Sequence, residues 1–314
     1  MLLKGILMKV FDLHCDTLYK AVTESHGFSC SDYEVQTDVD FEKYLQCFAV
    51  WIPDDLTAEQ GRELFERARK ALPFECKNND IKLINSFKEI KKSLIIRQKL
   101  AMFTLENCKI INNDLSYIKH LADSGIKIAT LTWNDKNCIG DGAMVDNPTG
   151  ITEFGRRAVR ELERLGIVID VSHASDRLFF DVCEIAEKPF VATHSNSRTV
   201  TEHKRNLTDE QAEIIFERGG IIGLNFHNAF LNNTPDKACI DDILRHAEHF
   251  LSLGGVDSIA LGSDFDGGIL PCDIENNRNL YDIYNLFLQK NYPKAIIDKI
   301  FYENAVNFFE NFDI

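Results

Sequence analysis

Six residues of this 314-residue chain have side chains that hold divalent cations or move protons, and each stands where a short apolar run ends. His14 and Asp16 close the run at 9–14, and Glu106 follows the run at 99–105. His173 follows 167–172, His194 ends 189–194, and Asp264 follows 258–263. Imidazole and carboxylate both bind zinc, and a carboxylate can bridge two ions about 3.5–4 Å apart. Three histidines (14, 173, 194) with Asp16 and Glu106 therefore suit a pair of divalent cations, with zinc expected and manganese or cobalt also accommodated. A bridging water would lose its proton near neutral pH, and the resulting hydroxide would attack a carbonyl. Asp264 suits a general acid/base beside that water, a role for which Asp266 competes. An acid in this place also serves to bond loop amides.

Positioning such a set requires several strand ends to converge. Eight short runs rich in Val and Ile read as buried parallel strands: the five above, together with 46–51, 126–132 and 220–225. Longer amphipathic segments separate them. Thr57 with Gln60 and Thr208 with Gln211 are capping boxes, the first opening a helix over 58–72. Gly125, Gly166, Gly219 and Gly254 mark helix ends. The alternation predicts an α/β chain folded as one (β/α)8 TIM barrel over 1–314, with a polar loop at 264–280 and C-terminal helices about 281–290 and 294–310. An open doubly wound sheet would favour a glycine-rich loop after the first strand, where this chain has His14-Cys15-Asp16-Thr17. Barrel active sites lie at the C-terminal strand ends, where these six residues fall. Alternation along the first strand places Asp12, His14 and Asp16 on one face. His26, His120, His246 and His249 read as ordinary surface or core histidines.

A net charge of −14 argues against nucleic-acid binding, which needs a basic face. No stretch approaches the roughly 20 apolar residues of a membrane helix, and the opening MLLKGILMKV is interrupted by Lys4 and Lys9, with Met8 an alternative start. Nine cysteines at irregular spacing read as reduced thiols, so a soluble, cytoplasmic protein is expected.

The stretches FDLHCDT (11–17), the block at 150–176, PFVATHSNSR (189–198), KRNLTDE (204–210) and GSDFDGG (262–268) resemble the renal, or membrane, dipeptidase family of metallopeptidases. The resemblance runs from residue 11 to residue 268. It implies a binuclear zinc dipeptidase in which His14 and Asp16 hold one metal, His173 and His194 the other, and Glu106 bridges them. It also implies that Arg205 binds the C-terminal carboxylate of a dipeptide, that Asp264 carries the proton from water to the leaving amine, and that the chain forms a homodimer. One position departs. The family often has a histidine after the fourth strand's Leu-Thr to polarise the scissile carbonyl, and this chain has Trp133, which keeps an indole N–H and packs the substrate pocket wall. Alternative readings are hydrolysis of another amide, such as a lactam or N-acyl amino acid, at the same site, or a barrel that binds a ligand without turnover. Other barrel hydrolases commonly carry His-x-His on strand one and a modified lysine on strand four. His14-x-Asp16, with no lysine at the end of strand four, favours the dipeptidase branch.

Overall fold

The computed structural model describes residues 8–93 and 98–312; the reading of the opening segment 1–7 lies outside them. The strands are β1 (Lys9–Cys15), β2 (Lys43–Trp51), β3 (Ile81–Leu83), β4 (Lys99–Glu106), β5 (Ile126–Thr130), β6 (Val168–Asp170), β7 (Ile222–Leu224) and β8 (Ile259–Leu261). Seven of them are hydrogen-bonded in the order β6-β5-β4-β2-β1-β8-β7, all parallel. The expected strand at 189–194 completes the ring through single bridges, Asp170 to Val191 and Ala192 to Ile222. Val171 N–H donates to Val191 O and Gly223 N–H to Ala192 O, each at 2.8 Å. The (β/α)8 barrel is thus closed around eight positions.

β3 was not expected. It pairs with β4 only at residues 99–101, whereas β5 pairs with β4 from Phe103 onward. The stagger that closes a barrel leaves the start of β4 without its next neighbour, and three residues fill the gap.

Alternation at period two explains how the barrel carries both a core and a site. Phe11, Leu13, Leu45, Met102, Val168 and Ala260 belong to one buried cluster, with Phe309 of the C-terminal helix Asn304–Phe312 stacked 5.3 Å from Phe11. That helix stoppers the end of the barrel where the strands begin. Continuing along the same faces, β4 presents Thr104 and then Glu106, and β8 leads through Gly262 to Asp264. β1 is the exception. Its register against β2 shifts between Asp12 and Cys15, a bulge that re-aims the side chains beyond it. The expectation that Asp12 shares a face with His14 and Asp16 therefore fails. Asp12 instead accepts from Ser263 N–H (2.9 Å) and Ser263 Oγ–H (2.5 Å), tying β1 to β8.

Both expected capping boxes are present, at Thr57–Gln60 and Thr208–Gln211. The helix opened by Thr57 runs Ala58–Asn78, past the expected end at Leu72 and through Pro73, because Leu72 and Cys76 are both buried on its inner side. At the other terminus the helices are Leu280–Gln289, Lys294–Asp298 and Asn304–Phe312, the last two joined by a π-type turn at Lys299–Glu303. No helix among the described residues is long and apolar enough to cross a membrane.

Candidate active site

The bulge in β1 and the left-handed turns after β6 and β8 gather the predicted ligands at one mouth of the barrel. His14 Nε2 lies 3.5 Å from Glu106 Oε2, 3.6 Å from Asp16 Oδ2 and 3.8 Å from Asp264 Oδ1. The other oxygen of Glu106 faces His173 Nε2 at 2.9 Å and His194 Nε2 at 3.7 Å. The two Nε2 atoms of His173 and His194 are 2.9 Å apart. All six side chains are buried. His173 and Asp264 have φ of 65° and 63°, a conformation costly for residues other than glycine and one that clusters at functional sites.

The hydrogen bonds behind the ligands set which nitrogen carries a lone pair. Asp170 Oδ2 accepts the hydroxyls of Thr130 and Thr193, each at 2.6 Å. The single Thr193 proton is thereby committed, so Thr193 Oγ1 accepts from His194 Nδ1–H at 2.8 Å. His194 Nε2 is left bare toward Glu106. In the same way His173 Nδ1–H donates to Asn134 Oδ1 at 3.1 Å, baring its own Nε2. Two buried nitrogens face each other, and His14 Nε2 and Asp16 Oδ1 have no hydrogen-bond partner among the described residues. Orphaned buried donor atoms of this kind fit a divalent cation. The groups His14–Glu106–His194 and His14–Asp16–Asp264 each bring three ligand atoms within 4.8 Å.

The electrostatics carry the same signature. Burial, reinforced by the neighbouring Asp16 charge, pushes Glu106 up to about 8. Asp16 is also raised by burial. Burial pulls down His14, yet the nearby charges of Glu106 and Asp16 hold it well above the usual histidine range. His173 and His194 are held well below that range by burial and by Arg205 and His14. Crowded carboxylates kept from water beside neutral imidazoles are groups that a cation stabilises in their charged and bare forms.

Asp264 and Asp266 differ in their surroundings. Asp266 is occupied in the loop, accepting from Thr17 Oγ1 (2.6 Å), Glu34 N–H (3.0 Å) and Lys20 Nζ (3.3 Å). Asp264 instead turns Oδ1 toward His14, while Asn225 Nδ2 donates to Oδ2 at 2.9 Å. Gly267 packs against both acids: a Cβ there would collide with Asp16 Oδ2 and lie 2.5 Å from Asp264 Oδ1.

A cavity of about 500 Å³ opens over these residues. Arg205 lines it, buried, its Nη2 donating to His194 O at 3.3 Å and its Nε without a partner among the described residues. The guanidinium lies 5.3 Å over the Phe230 ring. Trp133 is on the cavity wall, its ring 5.9 Å from that of His173 and 4.9 Å from that of Trp51. Sequence reasoning passed over Trp51, Asn134, His203, Asn225 and His227, of which all but Asn225 line the cavity. Trp51 and Asn225 stand at strand ends, the same signal that marked the others, but neither is a familiar metal ligand.

Among the remaining histidines, His120 pairs with Glu66 and His249 with Asp209, each at 2.7 Å. His246 is buried: its Nδ1 accepts from Ser197 N–H and its Nε2–H donates to Leu231 O, both at 3.1 Å. A second ring proton would meet the Ser197 donor, and burial pushes His246 down to about 4. An unfolded histidine titrates near 6.5, so the unfolded chain binds the proton first. Stability is thus full above about pH 6.5 and is lost as the pH falls toward 4, by about 3 kcal/mol from this residue. Urea unfolding from pH 7 to pH 4 should show a shallower loss in His246→Asn than in the parent protein. Equal slopes would refute the assignment.

A family model described as membrane dipeptidase, peptidase family M19, matches residues 6–313. A protein of Klebsiella pneumoniae, described as an uncharacterised protein in the pqqA 5′ region, is 33% identical over 201 residues, covering 60% of this chain and 73% of its own length. An uncharacterised dipeptidase of Schizosaccharomyces pombe is 29% identical over 255 residues, covering 78% of this chain and 58% of that longer protein. Among solved structures, a metallopeptidase called dipeptidase AC, of family M19, superposes with a TM-score of 0.90 at 25% identity, over 97% of this chain and 98% of its own. A metallopeptidase from Rhodobacter sphaeroides, liganded with a phosphinate mimic of the dipeptide L-Ala-D-Ala, also has a TM-score of 0.90, at 24% identity over 97% and 99% of the two chains.

Proposed function

Since the chain belongs to the membrane dipeptidase family of metallopeptidases, we propose that it is a binuclear metal dipeptidase that hydrolyses small dipeptides with a free carboxylate. The observation that carries this reading is Glu106, one buried carboxylate with His14 at one oxygen and His173 and His194 at the other. His14 and Asp16 would hold one cation, His173 and His194 the second, and Glu106 both. Two divalent ions, with zinc expected, would supply a Lewis acid for the scissile carbonyl and would acidify water to near neutrality.

The chain's own residues do the rest. Asn225 holds one oxygen of Asp264, leaving the other to take a proton from water and pass it to the departing amine. Arg205 presents a planar fork to the substrate carboxylate. Its burial without an ion-pair partner among the described residues leaves that charge to be matched by the substrate. The nine unpaired thiols support a reducing, cytoplasmic compartment. Trp133 favours a second reading, hydrolysis of another amide such as an N-acyl amino acid, because the wall lacks an imidazole there.

Arg205→Gln tests the leading reading. It should raise KM for a dipeptide on the order of a hundredfold, the cost of an unpaired buried carboxylate, and leave the poor hydrolysis of the dipeptide amide unchanged. An unaltered KM for the free acid would remove Arg205 from the carboxylate site. Cleavage of N-acyl amino acids with inert dipeptides would favour the second reading.

A further inference from the structure

Three aromatic side chains outside the metal cluster form a continuous surface. Tyr19, on the helix Thr17–Glu24, meets Trp51 edge-on with ring centroids 4.8 Å apart, and Trp51 meets Trp133 at 4.9 Å. Trp133 ends the row 5.9 Å from the ring of His173. All three line the cavity and are partly exposed, unlike the fully buried phenylalanines of the core, and Met144 stands exposed at the same cavity. The Trp51 indole N–H has no hydrogen-bond partner among the described residues. Buried indole donors ordinarily find one.

The ring order says where this surface lies. Trp51 ends β2, and Trp133 follows β5; these strands flank β4, which carries Glu106. Arg205 is anchored to His194 O, at the end of the segment that stands four places from β2 around the barrel. Trp51 and the guanidinium therefore stand on opposite sides of the ring of metal-type ligands, and Trp133 carries the aromatic row from Trp51 toward His173. A dipeptide held by its carboxylate at Arg205, with its peptide bond over Glu106, must point its N-terminal residue at the aromatic surface.

We infer that Tyr19, Trp51 and Trp133 form the subsite for the side chain of the N-terminal residue, and that the preferred substrates are dipeptides with a large apolar or aromatic residue there. This rests on the dipeptidase reading, and it gives Trp133 a role that a histidine at that position would not fill. Flat rings reward apolar side chains through burial and ring stacking, and a missing side chain leaves them wetted. Discrimination of about tenfold or more between Phe and Gly follows from pocket contacts of this size.

The chain contains two tryptophans, and both are in this surface. Intrinsic fluorescence therefore reads the subsite independently of turnover. The zinc-loaded protein should be titrated with Phe-Ala, Ala-Phe, Ala-Ala and Gly-Ala, recording fluorescence and kcat/KM. Phe-Ala should bind and turn over about tenfold or more better than Gly-Ala, and should perturb the tryptophan emission more than Ala-Phe does. In Trp51→Ala the ratio of kcat/KM for Phe-Ala over Ala-Ala should collapse toward one. Tyr19→Ala, at the outer end of the row, should lower it in part should the first variant fail to fold. Preference for Ala-Phe over Phe-Ala, a flat panel, or an equal loss for every dipeptide in both variants would overturn the subsite while leaving the dipeptidase reading intact. Selective binding of Phe-Ala without cleavage of any dipeptide would do the reverse. Neither binding nor cleavage would overturn both.

Discussion

Replacing Glu106 by alanine is expected to release the metal and abolish dipeptide hydrolysis in the same variant. Among the described residues, Glu106 is the buried carboxylate with one oxygen toward His14 and the other toward His173 and His194. Without it, neither histidine set has a shared anion, and the buried ligands cannot balance a pair of doubly charged ions. The rate should fall on the order of 10³-fold or more, since the lost ions remove several kcal/mol of transition-state stabilisation. Metal analysis and kcat/KM on the same preparation decide the matter, with circular dichroism showing that the barrel remains folded. Parental metal content and rate would take Glu106 out of the site.

Asp264→Asn should separate proton transfer from metal binding. An amide of the same shape keeps the loop packing against Gly267 but cannot accept the proton. Loss of a general acid/base costs typically 10²–10⁴-fold, so kcat should fall by about that much while metal content stays at the parental level. Asp264 also lies in a three-residue group with His14 and Asp16, which makes the metal measurement informative. Loss of one ion along with the rate would make it a ligand, and an unaltered kcat would deny it the proton.

Much of this arrangement was legible from type and position. His14, Glu106, His173, His194 and Asp264 each end an apolar run, and a strand's C-terminal end is where a parallel barrel places its site. The capping boxes and helix-ending glycines fell where pattern places them because both rest on local hydrogen bonding. What escaped was set by neighbours. The bulge that separates Asp12 from His14 is a register property of β1 against β2, invisible in either strand alone. β3 exists because of the stagger between β4 and β5. The helix expected to end at Leu72 runs on through Pro73 to Asn78, with Cys76 buried on its inner side. The lone pair on His194 depends on an aspartate 24 positions earlier, through Thr193. That Trp51 and Tyr19 share a cavity with Arg205 depends on the closed ring of strands and shows in no single segment.

The proposed hydrolysis depends on a pair of cations shared through Glu106. Its most direct test is to strip the parent protein of metal and add zinc back in known amounts, following dipeptide cleavage and bound zinc together. The expected result is silence without metal, activity restored as zinc binds, and saturation at two ions per chain. Saturation at one ion would contradict the shared centre, and dipeptide cleavage by the fully stripped protein, undiminished, would contradict the account altogether.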